Sequence, residues 1–253
     1  MSWIYVLLAS IVEGLTEFLP ISSTGHLILL NKLLNIEQTT LISSFNIFIQ
    51  SGAILAVIHQ YKNELTNNKK LLLNLLFSFL PTAIIGFTLY PFIKNYLLDN
   101  VFIISISLFV GGIIILLLPK TDNSGKLTFK KSFIIGTFQS LSIVPGTSRA
   151  LMSILGGLVT GQSLRDSIRY SFLLAVPTIL SATLLDLYKS RQDLTNQTEY
   201  IPHFIVGFVL SFLFAKIVVS KLTNLISNYK NFYLFGFYRI ILSLIILLVI
   251  FYL

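Results

Sequence analysis

The sequence predicts an all-α polytopic membrane protein, with six transmembrane helices plus two re-entrant helix-loop-helix hairpins in an inverted-topology repeat. Three observations predict it. Of 253 residues, 55% are apolar and 11% charged, against roughly 25% charged in soluble domains, too few polar side chains to coat a water-facing surface; the mean hydropathy is +0.84. The charges fall in short stretches between long uncharged ones, which excludes both a disordered chain and one core inside a soluble shell. Two apolar stretches are short, ended by proline and followed by another short apolar piece, the pattern of hairpins that line a polar cavity at mid-membrane.

A spanning helix needs about 20 apolar residues to cross a hydrocarbon core roughly 30 Å thick. Segments 44–60, 71–90, 101–118, 168–188, 203–221 and 232–253 reach or approach that length. Segment 3–19 carries Glu13, Thr16 and Glu17 and stops at Pro20; with 27–34 it forms the first hairpin, 3–34. Segment 133–144 stops at Pro145 and, with 150–160, forms the second, 133–160. The N-terminal stretch lacks a basic leading region and holds two carboxylates, which argues against a cleaved signal peptide.

The chain reads as one membrane domain, 1–253, of two repeats, 1–119 and 130–253. A shift of 125 positions lays Pro20, Ser22 and Ser23 on Pro145, Thr147 and Ser148; one of 121 lays Pro81, Ile84, Gly86 and Phe87 on Pro202, Ile205, Gly207 and Phe208. Each half reads hairpin, span, span, span, and an odd number of crossings inverts the second half.

Eighteen Lys+Arg against 10 Asp+Glu give a net charge of +8. In a bilayer protein this reports basic cytoplasmic loops, and no basic run is interleaved with stacking aromatics, so no nucleic-acid partner is expected. Lys62, Lys69, Lys70, Lys120, Lys126, Lys130, Lys131, Arg165, Lys221 and Lys230 fall on one side, and Lys32, Lys94, Lys189 and Arg191 on the other. The first set is therefore cytoplasmic, both termini and the mouth of the first hairpin are periplasmic, and the two tips meet from opposite sides. The absence of cysteine excludes thiolate metal sites, iron-sulfur centres and a cysteine nucleophile.

Ionisable groups inside a bilayer are expensive and functional by default, and here they concentrate at the tips. Glu13 and Glu17 are four apart, on one helical face; adjacent buried carboxylates repel unless a cation lies between them, and oxygen-only ligation suits Mg²⁺ or Ca²⁺. A hydrated vestibule or basic partners would also serve them. Ser22, Ser23 and Thr24 suit a helix N-cap, with His26 in the following turn; capping explains the hydroxyls but neither the histidine nor the acids. In the second tip Gly146 allows close backbone approach, Thr147 or Ser148 caps the next half-helix, and its free N–H groups favour an anion. Arg149 adds a fork of donors matched to phosphate, or pairs with Glu13 or Glu17. Either way the tips come together into equipment for phosphoryl transfer, reached from the bilayer by a phosphorylated lipid.

At these residues the sequence resembles the undecaprenyl-diphosphate phosphatase family, the bacitracin-resistance type of polyprenyl pyrophosphatase, over essentially its whole length. The glutamate-rich motif is matched from Glu13 to His26, and the Pro-Gly-x-Ser-Arg motif by Pro145-Gly146-Thr147-Ser148-Arg149. The resemblance implies removal of the terminal phosphate of undecaprenyl diphosphate in the bacterial inner membrane, for peptidoglycan and envelope synthesis, with Mg²⁺ or Ca²⁺ and a site open to the periplasm. It implies metal binding or water positioning by Glu13 and Glu17, phosphate binding by Arg149 and Ser148, and a nucleophile or its base in Ser23 or His26. Two positions depart from the pattern: Ala150 stands where serine is common, and Ser153 where threonine is common. Ser22, Thr24, Gly146, Thr147, Ser153 and Gln50 complete the expected substrate contacts, and membrane lipids and a polyprenyl diphosphate are the expected partners. Homo-oligomerisation is left open.

Of the remaining polar residues, Asn46 and Gln50 share a face and either line the cavity or bond a neighbouring helix. His59, Lys216 and Lys221 snorkel at span ends, Tyr238 and Arg239 make a polar contact with another helix, and His203 is solvated. The rival function is a transporter or flippase for a lipid-linked phosphate, which inverted repeats with broken helices also suit.

Overall fold

A computed structural model of the chain describes residues 1–97, 100–120, 125–195, 197–226 and 228–252. Residue 253, the last of the sixth expected span, and the side chain of Lys94 lie outside the described residues. Every regular element among those described is helical. The order is α1 (Trp3–Thr16), α2 (Ser23–Leu33), α3 (Thr40–Asn67), α4 (Lys69–Phe92), α5 (Val101–Leu117), α6 (Phe129–Ser140), α7 (Arg149–Val159), α8 (Leu164–Lys189), α9 (Arg191–Thr195), α10 (Ile201–Ile226) and α11 (Tyr229–Tyr252).

Local chemistry sets the starts. Thr39, Asn68, Asn100, Thr128 and Ser163 each accept a hydrogen bond from the backbone N–H three residues on, satisfying a donor that the first turn leaves free. The caps at Thr39 and Thr128 begin α3 and α6 four residues before the hydrophobicity does. At the other end α3 runs to Asn67 rather than 60, bending at Tyr61 (φ −111°, ψ 19°) as it leaves the apolar stretch. Pro202 lies in the first turn of α10, where its missing N–H breaks no helical bond.

Among the described residues five helices are long and apolar enough to cross a membrane: Thr40–Asn67, Lys69–Phe92, Leu164–Lys189, Thr198–Lys221 and Tyr229–Val249. The chain is a multi-pass membrane protein. The expected third span, 101–118, is α5, a 17-residue apolar helix; at 1.5 Å per residue it rises about 26 Å, close to the hydrocarbon thickness. Large apolar side chains such as Ile84, Phe87, Leu184 and Leu248 are exposed on the perimeter, as lipid requires. His203, expected to be solvated, instead stacks on Trp3 with ring centroids 3.9 Å apart and has Tyr200 on its edge. Two aromatic rings at a helix end cover it more favourably than water does.

α3 packs along α10, α1 against α10, α4 against α6, α7 against α8, and α5 along α11. Without a hydrophobic force between helices in lipid, close approach at small residues does the work. Gly52 of α3 shows it: a Cβ there would strike the backbone carbonyl of Phe208 on α10. Gly52→Ala should therefore lower stability by about 1–3 kcal/mol, read as a fall in Tm of the purified protein, while Gly86→Ala, whose Cβ meets nothing within 4 Å, should leave Tm unchanged.

Candidate active site

The two hairpin tips are built alike. In the first, α1 ends at Thr16 and Ser22 caps α2 in a left-handed conformation (φ 67°, ψ 97°), its Oγ accepting the Gly25 N–H at 3.4 Å. In the second, α6 runs into a 3₁₀ turn at Leu141–Ile143, the chain turns through Pro145 and Gly146, and Ser148 caps α7 (φ 73°, ψ 115°), accepting the Leu151 N–H at 3.2 Å. Left-handed non-glycine residues cost energy and persist where their surroundings over-determine them. Gly146 (φ +90°) is packed so closely that a Cβ would come within 2.5 Å of the Ile104 carbonyl.

The tips meet through side chains 132 positions apart. Arg149 Nη2 donates to Glu17 Oε1 at 2.8 Å, and Ser23 Oγ donates to Glu17 Oε2 at 2.6 Å. One buried carboxylate thus joins a hydroxyl to a guanidinium. Arg149 Nη1 donates to the Ser171 carbonyl at 3.1 Å, Phe18 lies under the guanidinium, and Nε is buried with no hydrogen-bond partner among the described residues.

A cavity of about 710 Å³ opens beside this line. Glu17, Ser22, Ser23, Thr24, Gly146, Ser148 and Arg149 form one wall, and Gln50 a second. The N-termini of α2 and α7 both end there, so two sets of free amide N–H groups and two positive dipole ends face the same space. Away from the tips the cavity runs along α4 past Ala83, Ile84, Phe87 and Tyr90, of which Ile84 and Phe87 are also exposed on the perimeter. Its polar end and its lipid-facing end are therefore continuous.

Four expected site residues do not line the cavity. Glu13 is fully buried behind Glu17, and both its carboxylate oxygens lack a hydrogen-bond donor among the described residues. His26 turns away: Nδ1 donates to the Ser22 carbonyl and Nε2 accepts from Tyr238 Oη, both at 2.7 Å. The carbonyl can only accept, which assigns the tautomer. Thr147 folds its hydroxyl onto the Val144 carbonyl at 2.7 Å, and it is Ser148 that caps α7. Ser153 donates to Ser171 Oγ at 2.6 Å and to the Arg149 carbonyl at 2.9 Å, bracing the arginine from beneath. Asn46 likewise serves packing, accepting from Tyr5 Oη at 2.9 Å. Ala150 is fully buried, and its carbonyl lies 3.1 Å from Ser153 Oγ and 3.4 Å from Ser171 Oγ.

Sequence reasoning missed Ser171, which signalled nothing in an apolar span, and Asp186, an acid inside segment 168–188 that was open to notice. Asp186 is buried at the far end of the cavity and accepts from Ser44 Oγ at 2.7 Å and Tyr90 Oη at 2.9 Å. Arg239 was expected to touch one helix; it touches both tips.

The family model described as Bacitracin resistance protein BacA matches residues 6–245. The chain belongs to this family. It is 44% identical over 250 residues to a protein of Persephonella marina, with 96% of both chains covered. It is also 41% identical over 242 residues to one of Aquifex aeolicus, with 93% of both covered, and 40% identical over 252 residues to one of Campylobacter jejuni, with 96% of this chain and 92% of the relative covered. All three relatives are called Undecaprenyl-diphosphatase.

Glu17→Ala strands a buried guanidinium, and removing one partner of such a pair costs about 3–5 kcal/mol. In equilibrium unfolding the Glu17→Ala/Arg149→Ala double variant should lose clearly less stability than the sum of the two single variants.

Proposed function

We propose that this BacA-family chain hydrolyses undecaprenyl diphosphate to undecaprenyl monophosphate and phosphate in the bacterial plasma membrane, with the cavity between the two tips as its site. The observation that carries this is the line Ser23–Glu17–Arg149, a hydroxyl held on a carboxylate that is itself held on an arginine, beside two helix N-termini. A site that only bound and moved an anion would have no use for a hydroxyl presented to a base.

In the bilayer, α3, α4, α5, α8, α10 and α11 make six crossings, and α1–α2 and α6–α7 are hairpins that enter and return, the two halves being inverted repeats. The identical serine caps and the equal 11-residue length of α2 and α7 support this arrangement, and the Lys and Arg count supports periplasmic termini and a periplasmic opening. The diphosphate sits at the tips, and the prenyl chain leaves along the apolar wall of α4 into lipid.

Ser23 is the nucleophile. Glu17 Oε2 takes its proton as Oγ bonds to the terminal phosphorus, the phosphoanhydride bond breaks, and undecaprenyl monophosphate departs. Glu17 gives that proton up to the departing monophosphate; water then attacks the phosphoserine, passing a proton to Glu17, which returns it to Ser23 Oγ as phosphate leaves. Arg149 and the amides at the starts of α2 and α7 hold the phosphoryl oxygens, and Ser22, Thr24, Ser148 and Gln50 position the diphosphate. Thr147, Gly146 and Ser153 act through the shape of the second tip. His26, with both ring nitrogens engaged, positions Ser22.

Among the described residues no three His, Asp or Glu side chains form a cage. Glu13, however, presents two buried oxygens with no donor next to Glu17, a hard-oxygen pair suited to Mg²⁺ or Ca²⁺. Glu13 and Glu17 would hold that ion, which would supply neutralisation of charge on the phosphates.

Phosphate release from a C55 diphosphate by purified protein tests the reading. Ser23→Ala and Glu17→Gln should each lower kcat by about 10²–10⁴-fold, and chelation should lower activity that added Mg²⁺ or Ca²⁺ restores. No release by the wild type, or wild-type kcat in both variants, overturns it.

A further inference from the structure

Neither Tyr238 nor Arg239 of α11 lines the cavity, yet together they hold the main chain on both sides of it. Arg239 is fully buried, and its acceptors among the described residues are backbone carbonyls. Nη1 donates to Pro20 at 2.9 Å, Nη2 to Gly146 at 2.9 Å, Ser107 at 3.1 Å and Thr147 at 3.2 Å, and Nε to Leu108 at 3.3 Å. One guanidinium thereby ties the first tip, the second tip and α5. Tyr238 Oη donates to His26, which donates to the Ser22 carbonyl, so the adjacent residue fixes the peptide that leads into Ser23.

The carbonyls of Pro20, Gly146 and Thr147 lie outside helices and accept no backbone N–H among the described residues, whereas those of Ser107 and Leu108 belong to α5. In a low-dielectric interior an unpaired carbonyl is costly, and a planar group with five N–H donors can serve several at fixed angles, whereas an ammonium with three cannot span them. The neighbouring helix makes room for it: a Cβ on Gly111 of α5 would run into Arg239 Nη2.

We propose that the Tyr238–Arg239 pair is the positioning device of this enzyme. By gripping Pro20 on one tip and Gly146 and Thr147 on the other, it sets the separation of Ser23 and Glu17 from Arg149, and with it the rate of the chemical step. The inference rests on the hydrolase reading above. Neither residue exchanges a proton with substrate, so substitution changes kcat but neither KM nor the pH profile.

The test uses the full chain purified in detergent, a C55 diphosphate substrate, and kcat expressed per folded, monodisperse protein. With an active wild type, Arg239→Lys should lose about 10- to 100-fold in kcat, with KM within about twofold and an unshifted pH profile. Tyr238→Phe, which removes one hydroxyl from a half-exposed side chain, should lose about 3- to 10-fold in kcat. Wild-type kcat per folded molecule in Arg239→Lys, with or without a fall in Tm, shows a stability role alone and overturns the proposal; so does a loss confined to KM. Should Arg239→Lys not yield folded protein, Tyr238→Phe decides, and wild-type kcat there overturns it. A wild type that releases no phosphate fails the hydrolase reading instead, which separates the two failures.

Discussion

Main-chain polar groups that leave a helix inside a packed protein interior must find partners other than water, and this requirement organises the two tips. The chain between α1 and α2 leaves the helix and that between α6 and α7 keeps only a 3₁₀ turn, and in these two loops the carbonyls of Pro20, Gly146 and Thr147 are met by a guanidinium from α11. Once both loops bond the same group they must lie together, and once they lie together Glu17 and Arg149 are within reach of each other. The cavity, the paired helix starts and the ion pair all follow from where the tips can be satisfied.

A buried ion pair is weak evidence for stability, because the desolvation of two charges offsets most of their attraction. On the hydrolase reading proposed above, Glu17 and Arg149 are reactive groups kept compatible with a fold. Glu17 divides its two oxygens between Arg149 and Ser23, and the Nε of Arg149 is buried without a hydrogen-bond partner among the described residues. Ser153 and Ser171 brace the arginine, so its freedom is spent before substrate arrives. Glu13 has no such partner and is the place where a cation would relieve the site.

The far end of the cavity obeys a different constraint. Phe87 and Ile84 of α4 belong both to the cavity wall and to the exposed perimeter, so an apolar chain can pass from one to the other without crossing a polar barrier. Asp186, Ser44 and Tyr90 tie α8, α3 and α4 together there, holding apart helices that lipid alone would not separate.

Composition and the placement of charge were sufficient, in sequence, to determine an all-helical membrane chain, and they singled out two proline-broken stretches whose residues Glu17, Ser23, Ser148 and Arg149 the fold brings together. They are legible because hydrocarbon tolerates so few alternatives that every acid, arginine and broken helix inside it stands out. Helix ends were less legible, since polar caps such as Thr39 and Thr128 extend helices beyond the apolar run. What only the tertiary structure decided is direction. Glu17 faces the cavity and Glu13 does not, His26 points at Tyr238, Thr147 folds back, and Arg239 reaches three separate segments. Direction depends on which main-chain carbonyls from distant parts of the chain end up near one another, and no local pattern of residues encodes that.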